Sequence, residues 1–385
     1  MLFPAKRFVG VQQGISLISR NNEMKRLLEF IQSKKEIYIF GAGKIGNGIK
    51  NYLKQSEIDF AGFVTSNTFD EFRKVYKQGK TGLIIGLSDI YLDEIMPMIN
   101  SVVVTEDLFL SSSECREIFG KHTVEFIRDN LYFYILLTPH CNLSCKSCIS
   151  FSPVNRADYY EKGECEKDIK KLEQLTLAPS RISISGGEPF LHPDLLDIII
   201  ITRNSFPEIP IYCCTNGSLL DKLKNEQLKL LIDLDVTLII TEYPPVVDKL
   251  NDFYLKADNM GIKYECLTYE NQKLFNDSKF NLYATAPMHS YFYCATSVTP
   301  SLQLYKGKIY GCSRMMFIPY FNERFKTDFQ LSEGDYIDIY NTTPEEIYKF
   351  KISRKPFCRY HDRTLDTLTE WGISERKLEE WVHLE

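Results

Sequence analysis

Short hydrophobic runs alternate with longer amphipathic stretches along most of this chain. In the first third, the apolar runs at 36–40 and 82–86 each precede a stretch with helical spacing. Short apolar runs bounded by turn residues are typical of buried strands, and strands that alternate with helices form a parallel sheet. The predicted strands are 36–40, 59–64, 82–86 and 101–104, with one helix that ends near Lys54 and another at 88–99. Residues 1–125 are therefore predicted to form a small α/β module.

The same alternation continues through the middle of the chain. The predicted strands are 131–137, 181–185, 210–214, 237–241 and 262–267, and the predicted helices are 164–175, 192–203, 223–233 and 247–259. Such a series of strand–helix units predicts an open or closed parallel barrel. The last hundred residues are less regular, with a hairpin pattern at 304–310 and a terminal helix predicted from about Ser374.

Composition and charge fit a globular protein of two or three domains. The chain has 385 residues, of which 44% are hydrophobic and 25% are charged. A net charge of −5 gives no electrostatic reason to expect nucleic acid as the main partner. No apolar run is long enough to span a bilayer, so no membrane partner is expected. Residues 1–10 lack the apolar stretch of a secretory signal, so a cytoplasmic location is expected.

The unusual feature of the composition is the presence of eleven cysteines. A high, odd count in a long chain without a secretory signal favours metal or redox chemistry over disulfides. Cys141, Cys145 and Cys148 form a C-x3-C-x2-C pattern in a loop after the strand predicted at 131–137. Three thiolates at this spacing can surround one iron–sulfur cube and leave one iron open. The alternative is a zinc site, for which only His140 offers a nearby fourth ligand.

This cysteine loop resembles that of the radical S-adenosylmethionine (SAM) superfamily, in which it follows the first strand of a partial (β/α)6 barrel. The resemblance implies a [4Fe–4S] cluster on the three cysteines, with SAM bound to the open iron. Reductive cleavage of SAM then gives a 5′-deoxyadenosyl radical that abstracts hydrogen from a substrate. A flavodoxin or ferredoxin-type reductant is the implied electron donor. The residue before the third cysteine is commonly aromatic in the family, whereas here it is Ser147.

Two further motifs follow in the order that the family shows. A Gly-Gly-Glu-Pro segment follows the second predicted barrel strand, and a Thr-Asn-Gly segment follows the third. Glycines let a backbone approach a ligand closely, and a carboxylate can accept from an ammonium group. In the family the first segment holds the SAM amino group, and the second resembles a further SAM contact, although an ordinary turn is the alternative for it alone. The SAM-binding residues that the resemblance implies are Ser185, Gly186, Gly187, Glu188, Pro189, Thr215, Asn216 and Gly217.

A second set of cysteines lies after the predicted barrel. Cys294 and Cys312, with Gly307 between them, form C-x12-G-x4-C, which resembles the opening of the SPASM and Twitch auxiliary-cluster domains. Such domains take two more ligands from a later close pair, and here that pair is Cys358 and His361. The resemblance implies a second [4Fe–4S] cluster on these four residues, with a potential raised by the histidine. The alternative is that His361 is a surface residue and the cluster is absent or has an open iron.

Cys213 and Cys214 are candidate catalytic residues because they precede the Thr-Asn-Gly segment at a strand end. Alternation along a strand directs one of them towards the expected SAM site, where a thiol could return hydrogen to a substrate radical. The alternative is that both are small buried hydrophobic residues. Glu242, Tyr243 and Arg314 are further candidates for the mouth of the barrel.

The glycine loop Gly41–Gly46 fits the phosphate-binding turn of a Rossmann-like module. The acid that binds ribose in such modules is expected about 20 residues later, at the end of the next strand. That place reads Val64-Thr65-Ser66-Asn67, without a carboxylate, so NAD is not expected. A truncated module that docks a nucleotide-linked substrate, or that only packs, is expected instead.

The predicted organisation is a Rossmann-like module at 1–125, a radical SAM partial barrel at 126–285 and a Twitch-like auxiliary-cluster domain at 286–385. The two-cluster layout resembles the Twitch-bearing dehydrogenase of 2-deoxy-scyllo-inosamine. It implies a radical SAM oxidoreductase or epimerase that acts at a carbinol carbon of a small polyol, sugar or nucleotide-linked sugar.

Two alternatives stay open. One is a peptide-modifying radical SAM maturase, against which the Rossmann-like N-terminal region counts. The other is a non-catalytic iron–sulfur sensor, which would not need the Gly-Gly-Glu-Pro and Thr-Asn-Gly segments.

Overall fold

The computed structural model describes residues 7–8, 12–267, 274–287, 290–291 and 294–384. The segment 1–10, in which we expect no secretory signal, lies mostly outside the described residues. The helices are α1 Gln12–Gln32, α2 Lys44–Gln55, α3 Phe69–Val75, α4 Leu92–Asn100, α5 Ser113–Gly120, α6 Val124–Asn130, α7 Lys162–Gln174, α8 Leu195–Ser205, α9 Asn225–Asp233, α10 Leu250–Met260, α11 Ala295–Val298, α12 Ser313–Phe325 and α13 Pro344–Ile352. The strands are β1 Arg7–Phe8, β2 Glu36–Phe40, β3 Gly62–Val64, β4 Thr81–Ile85, β5 Leu108–Phe109, β6 Tyr132–Leu136, β7 Ile182–Ser185, β8 Ile211–Thr215, β9 Val236–Thr241, β10 Lys263–Leu267, β11 Leu274–Asp277, β12 Phe280–Asn281, β13 Ser301–Tyr305, β14 Lys308–Tyr310, β15 Tyr336–Asp338, β16 Thr367–Glu370 and β17 Val382–His383.

A nine-stranded sheet forms the centre of the molecule, in the order β1-β10-β9-β8-β7-β6-β13-β14-β15. Strands β6 to β10 run parallel to one another, and β1 and β13 extend this parallel set at its two ends. Side chains of β9 alternate between buried and half-buried, as expected when one face of a strand packs on a core. The prediction of a mixed α/β fold with a partial parallel barrel is confirmed.

Strands from the C-terminal third continue the barrel sheet. Strand β13 pairs with β6 in parallel, and β14 and β15 follow in antiparallel order. The hairpin predicted at 304–310 is the β13–β14 pair. Of the predicted domain boundaries, residue 125 lies inside α6, and residue 285 lies in the loop after β12.

A separate four-stranded parallel sheet lies near the N-terminus, in the order β3-β2-β4-β5. The next two strands along the chain lie on opposite sides of β2, with β3 at one edge of this strand and β4 at the other. The strand order therefore reverses between β2 and β4. In open parallel sheets this reversal leaves a crevice at the carboxyl ends of the strands. The strand predicted at 101–104 is absent, and β5 follows it at Leu108–Phe109.

The helix predicted from Ser374 is also absent. The structure has a short 3-10 turn at Leu378–Glu380 and then β17, which pairs with β12. A terminal helix of this length is marginal by itself, so contacts with the rest of the chain decide its conformation. Here Ser374 N–H donates to Ser144 O at 2.8 Å, and the Trp381 side chain is fully buried.

The N-terminal sheet packs against the segment that carries Cys358. The Gln55 side chain donates to Ile352 O at 2.8 Å and accepts from Arg354 N–H at 3.0 Å. Tyr291 is buried in the same hydrophobic core as residues of α2 and α5. None of the described helices is long and apolar enough to cross a bilayer.

Candidate active site

The loop that carries Cys141, Cys145 and Cys148 follows β6 and is held in place by the C-terminal segment. Lys146 N–H donates to Gly372 O at 2.8 Å, and the Trp381 indole N–H donates to Cys148 O at 3.0 Å. Cys145 also forms a β-bridge with Ile373. These contacts fix the backbone between the cysteines before any ligand binds.

A single-ion zinc site does not fit this loop. Zinc requires its ligands within about 2.3 Å of one point, whereas the ligands of a four-iron cube each bind a different iron and lie farther apart. In the described part of the chain, no three His, Cys, Asp or Glu side chains converge closely enough for one metal ion. The His140 ring instead contacts Thr138 Oγ1 and Asp158 N–H through its Nδ1. The arrangement suits an iron–sulfur cube.

The Gly-Gly-Glu-Pro segment follows β7 and lies directly against the cysteine loop. Gly187 N–H donates to Thr138 O at 2.7 Å, and Glu188 N–H donates to His140 O at 3.1 Å. A Cβ atom on Gly187 would lie 2.0 Å from His140 O, so only glycine permits this approach. The segment therefore has a fixed position relative to the three cysteines.

Glu188 joins the two predicted SAM-binding segments. Its side chain is fully buried and accepts from Thr215 Oγ1 at 2.8 Å, from Asn216 N–H at 2.9 Å and from Phe190 N–H at 3.1 Å. Burial raises the pKa of Glu188 to about 7, although these hydrogen bonds oppose the shift. The structure thus uses this carboxylate to hold the segments together.

The raised pKa of Glu188 predicts a pH dependence of stability. Between its ordinary value of 4.5 and about 7, the folded chain retains a proton that the unfolded chain loses, so stability falls as the pH rises through this range. In Glu188→Gln, we expect the decrease in the free energy of unfolding between pH 5 and pH 8 to be smaller, by as much as about 3 kcal/mol. Urea denaturation at both pH values measures this. Glu173→Gln, at an exposed position of α7, is the control, and an equal decrease in both variants would contradict the prediction.

A cavity of 440 Å³ opens beside the three cysteines. The predicted site residues that line it are Cys141, Cys145, Cys148, Ser185, Gly186, Gly187, Cys214, Thr215 and Asn216. Among the described residues, the lining does not include Glu188, Pro189, Gly217 or Cys213. Asn216 Nδ2 lies 3.4 Å from Cys141 Sγ, so the Thr-Asn-Gly segment contacts the cysteine loop directly. The volume is within the range of small-molecule sites.

Alternation along β8 separates the two candidate catalytic cysteines. Cys213 is fully buried in the hydrophobic core, whereas Cys214 is half-buried and lines the cavity. Ser147, in the place of an aromatic residue, also lines the cavity and donates to Asp277 Oδ1 at 2.8 Å. Of the other candidates, Tyr243 and Arg314 line the cavity, and Glu242 accepts from Tyr254 O–H at 2.9 Å outside it.

Sequence reasoning did not find several residues on the opposite wall of this cavity. Ser278, Thr296 and Arg363 come from the C-terminal half of the chain. None of them belongs to a recognisable motif, so no signal in a single sequence marks them. Tertiary packing alone brings them to the cysteine loop.

The second set of predicted ligands also lies around one cavity. Cys294, Cys312, Cys358 and His361 line one small cavity of about 50 Å³. This volume is far smaller than that of the barrel cavity, so it suits a compact inorganic group and not a molecule such as SAM. Thr296, Arg314 and Arg363 line both cavities and therefore form the wall between them.

Positive charge surrounds the second set of cysteines. Arg314, Lys351, Lys355 and Arg363 line the small cavity, and burial lowers the pKa of Lys351 to about 8 and that of Lys355 to about 7. Burial opposes ionisation of Cys294, but Arg363 and hydrogen bonds from Thr296 outweigh it and hold the thiol pKa below its ordinary value. Buried cations are costly without an anionic partner. Thiolates on an iron–sulfur cluster would supply that partner for Lys351 and Lys355, which line only the small cavity.

His361 is suited to bind a metal as a neutral imidazole. Burial and the nearby Arg314 guanidinium lower the pKa of His361 to about 3. Its Nε2 lies 3.4 Å from Asp366 Oδ1. A carboxylate that holds one ring nitrogen of a histidine is a common arrangement beside metal ligands, because it fixes the tautomer.

Comparison with known proteins supports the assignment of the first site. Residues 135–268 match the Radical SAM superfamily. A GTP 3′,8-cyclase of Chlorobaculum tepidum is 32% identical over 105 residues, which cover 27% of this chain and 29% of that protein. A probable GTP 3′,8-cyclase of Methanococcus maripaludis is 36% identical over 92 residues, which cover 23% of this chain and 30% of that protein. The chain thus spans less than a third of the length of these curated relatives.

Among solved structures, the chain matches BtrN in complex with AdoMet and 2-DOIA. This match has a TM-score of 0.41 and 15% identity and covers 66% of this chain and 97% of that chain. Streptococcus suis SuiB bound to S-adenosylmethionine matches with a TM-score of 0.29 and 17% identity, over 46% of this chain and 43% of that chain.

The family match runs from residue 135, near the end of β6, through β10, and it includes the three motifs around the larger cavity. Residues 135–268 of this chain are therefore similar to the Radical SAM superfamily, and this match implies a [4Fe–4S] cluster and SAM as cofactors.

Proposed function

We propose that this protein is a radical SAM oxidoreductase or epimerase that abstracts hydrogen from a carbinol carbon of a small polyol, sugar or nucleotide-linked sugar. Cys141, Cys145 and Cys148 would hold the [4Fe–4S] cluster, which supplies the electron that cleaves SAM to methionine and a 5′-deoxyadenosyl radical. Gly186, Gly187 and Asn216 line the adjoining wall of the cavity, where SAM would lie.

The observation that carries this proposal is the wall shared by the two cysteine-lined cavities. A substrate that reaches Thr296, Arg314 or Arg363 from the larger cavity touches residues that also border the second set of cysteines. Oxidation of an alcohol to a ketone removes two electrons: one would leave with the hydrogen atom that the 5′-deoxyadenosyl radical takes, and the other would remain on the substrate radical after loss of a proton. A second cluster on Cys294, Cys312, Cys358 and His361 would provide a one-electron acceptor beside that radical. The proposal includes the second cluster and the division of the chain into domains at 1–125, 126–285 and 286–385.

Arg314 favours a substrate that carries a negative charge. The residue is only 2% exposed and lines both cavities. Its NH2 group donates to Ser278 O at 2.8 Å, whereas its Nε and NH1 have no hydrogen-bond partner in the described part of the chain. A buried guanidinium binds phosphate or carboxylate through paired hydrogen bonds. Among the proposed substrates, this favours a phosphate-bearing sugar over a neutral polyol.

Replacement of Cys214 can distinguish epimerisation from oxidation. Burial raises the pKa of this thiol to about 12, so it keeps its S–H at neutral pH and could return a hydrogen atom to a substrate radical. If the enzyme is an epimerase, Cys214→Ala should retain 5′-deoxyadenosine formation but lose solvent deuterium from the product, as mass spectrometry would show. Cys213→Ala, one residue away and outside the cavity, is the matched control. Unchanged deuterium content in Cys214→Ala would exclude this cysteine as the hydrogen donor.

The reaction itself can be tested with the anaerobically reconstituted protein, SAM and dithionite. Nucleoside diphosphate sugars and simple sugar phosphates, deuterated at carbinol positions, are the test substrates. We expect at least one of them to transfer deuterium to 5′-deoxyadenosine. Transfer with two-electron oxidation indicates a dehydrogenase, and transfer with inversion indicates an epimerase. No transfer from any carbinol position would overturn the proposal.

A second candidate is cyclisation of a nucleoside triphosphate. Two observations favour it: the sequence similarity to proteins named GTP 3′,8-cyclase, and the Arg314 and Arg363 guanidiniums at the cavity wall, which suit phosphates. Incubation with GTP under the same conditions distinguishes the two candidates. A cyclised purine product without oxidation of any sugar phosphate would support the cyclase.

A further inference from the structure

The wall of the small cavity contains a buried lysine that forms no ion pair with a carboxylate of the described residues. Lys351 lies in the last turn of α13, is 2% exposed and lines the cavity of the second set of cysteines. Its Nζ donates to Thr296 O at 2.6 Å, which is its one hydrogen bond within the described part of the chain. An ammonium group carries three donors, and its burial without an anion is costly.

Two other lysines near the end of α13 have ordinary structural roles. The Lys349 side chain is 66% exposed and lies 3.7 Å from a carboxylate one turn earlier on the helix. Lys355 is buried, but its Nζ donates to Phe350 O, Ser353 O and Ser353 Oγ, so it satisfies carbonyl groups at the end of the helix. Neither explanation applies to Lys351.

The three cysteines of the small cavity act on the charge of Lys351. Burial lowers the pKa of Lys351 to about 8, and negative charge on Cys294, Cys312 and Cys358 opposes that shift. Thr296, whose carbonyl accepts from Lys351, also donates hydrogen bonds to the Cys294 thiol. Lys351 is therefore linked to this set of cysteines both by charge and through Thr296.

The N-terminal sheet holds the backbone around Lys351. Tyr291 is buried in the hydrophobic core that includes α2 and α5, and its O–H donates to Lys351 O at 3.3 Å. The Gln55 side chain, on α2, donates to the carbonyl of the next residue, Ile352. A charge that is fixed in place before an electron arrives stabilises the new charge without reorganisation of the protein.

We propose that Lys351 is a positioning residue that raises the reduction potential of the second cluster. The inference rests on the second cluster of the proposed function. Reduction adds one negative charge to a cluster, so a fixed cation beside it stabilises the reduced form more than the oxidised form.

This role fits the electron balance of the proposed oxidation. The substrate radical releases its hydroxyl proton to water and passes one electron to the second cluster, which leaves a ketone and a singly reduced cluster. Lys351 favours this transfer without contact with the substrate, because it does not line the larger cavity.

The reduction potential can be measured in a Cys145→Ala background, in which the second cluster should be the only one. We expect Lys351→Met and Lys351→Gln both to lower the potential in a redox titration followed by electron paramagnetic resonance, because both variants lose the charge. The glutamine variant still offers a donor to Thr296 O. Lys349→Met is the matched control, and it should keep the potential of the parent because water screens an exposed charge.

Two outcomes of this titration would overturn the proposal. One is a potential in Lys351→Met equal to that in Lys349→Met. The other is a lowered potential in Lys351→Met with the parent value in Lys351→Gln, because the hydrogen bond to Thr296 and not the charge would then be responsible.

Cluster-free protein provides a readout that does not depend on turnover. Without an anionic partner the buried ammonium group destabilises the fold, so Lys351→Met should unfold at the same or a higher urea concentration than the parent. After reconstitution, the second cluster should stabilise the variant less than it stabilises the parent. A lower urea midpoint in cluster-free Lys351→Met would show a purely structural role and overturn the proposal.

Iron analysis distinguishes failure of this inference from failure of the proposed function. About eight irons in the parent chain, with no effect of Lys351→Met on the potential, would overturn the role of Lys351 alone. About four irons in the parent would remove the second cluster itself, and the role of Lys351 with it.

Discussion

Replacement of Cys145 by alanine is expected to abolish the formation of 5′-deoxyadenosine from SAM. Cys145 is the middle one of the three proposed ligands in the loop after β6, and its backbone is paired with Ile373. Loss of one thiolate from a site with three leaves a cube with only two protein ligands, and such a cube is not expected to persist. Chromatography of anaerobic reactions with SAM and dithionite measures the product.

Iron analysis of the same variant adds a second readout. The iron content should fall by about four atoms per chain relative to the parent. Cys165→Ala is the matched control, because Cys165 is fully buried on α7 and lines neither cysteine-lined cavity. This control should keep its iron and its 5′-deoxyadenosine. Persistent cleavage of SAM in Cys145→Ala would refute the assignment of the first site.

Replacement of Cys312 by alanine is expected to remove a second cluster and leave the first intact. The parent should bind about eight irons per chain after reconstitution, and the variant should bind about four. Because the loop of Cys141 lies in a different cavity, the variant should still form 5′-deoxyadenosine. Turnover that requires the second cluster as electron acceptor should be lost. A parent with only about four irons would remove the second cluster from the proposal.

His361→Cys tests the fourth ligand without removal of the cluster. A thiolate adds negative charge where the neutral imidazole has none, so the reduction potential of the second cluster should fall. The iron content should stay at about eight per chain. An unchanged potential in a redox titration would show that His361 is not a ligand.

The meeting of the three motifs after β6, β7 and β8 is the feature that sequence reasoning predicted best. The spacing of Cys141, Cys145 and Cys148 is local and needs only one loop. The Gly-Gly-Glu-Pro and Thr-Asn-Gly segments lie far along the chain, yet they follow successive parallel strands, so the topology places them at the same edge of the sheet. Once β6, β7 and β8 are predicted, the meeting of these motifs follows from the pairing.

The sequence did not reveal which side chains of these motifs face the cavity and which are buried against other residues of the chain. The expectation that the Gly-Gly-Glu-Pro segment holds the SAM amino group stays a prediction, and the structure adds that the Glu188 oxygens accept hydrogen bonds from Thr215, Asn216 and Phe190. Glu188 is buried because two loops contact each other, and no local sequence pattern predicts that contact. Likewise, the orientation of Cys214 towards the cavity and of Cys213 towards the core depends on the face that β8 presents.

The chain by itself determined the α/β fold and the positions of the cysteine loop and the two glycine-containing motifs after successive strands, because each depends on short spacing or on strand order. Only the tertiary structure decided what lies opposite them. Arg314 and Arg363 lie in the wall between the two cysteine-lined cavities. The last residues do not form the predicted helix, and the C-terminal segment contacts the cysteine loop instead. Such contacts depend on the packing of distant segments, and their energies exceed the local preferences that a sequence pattern reports.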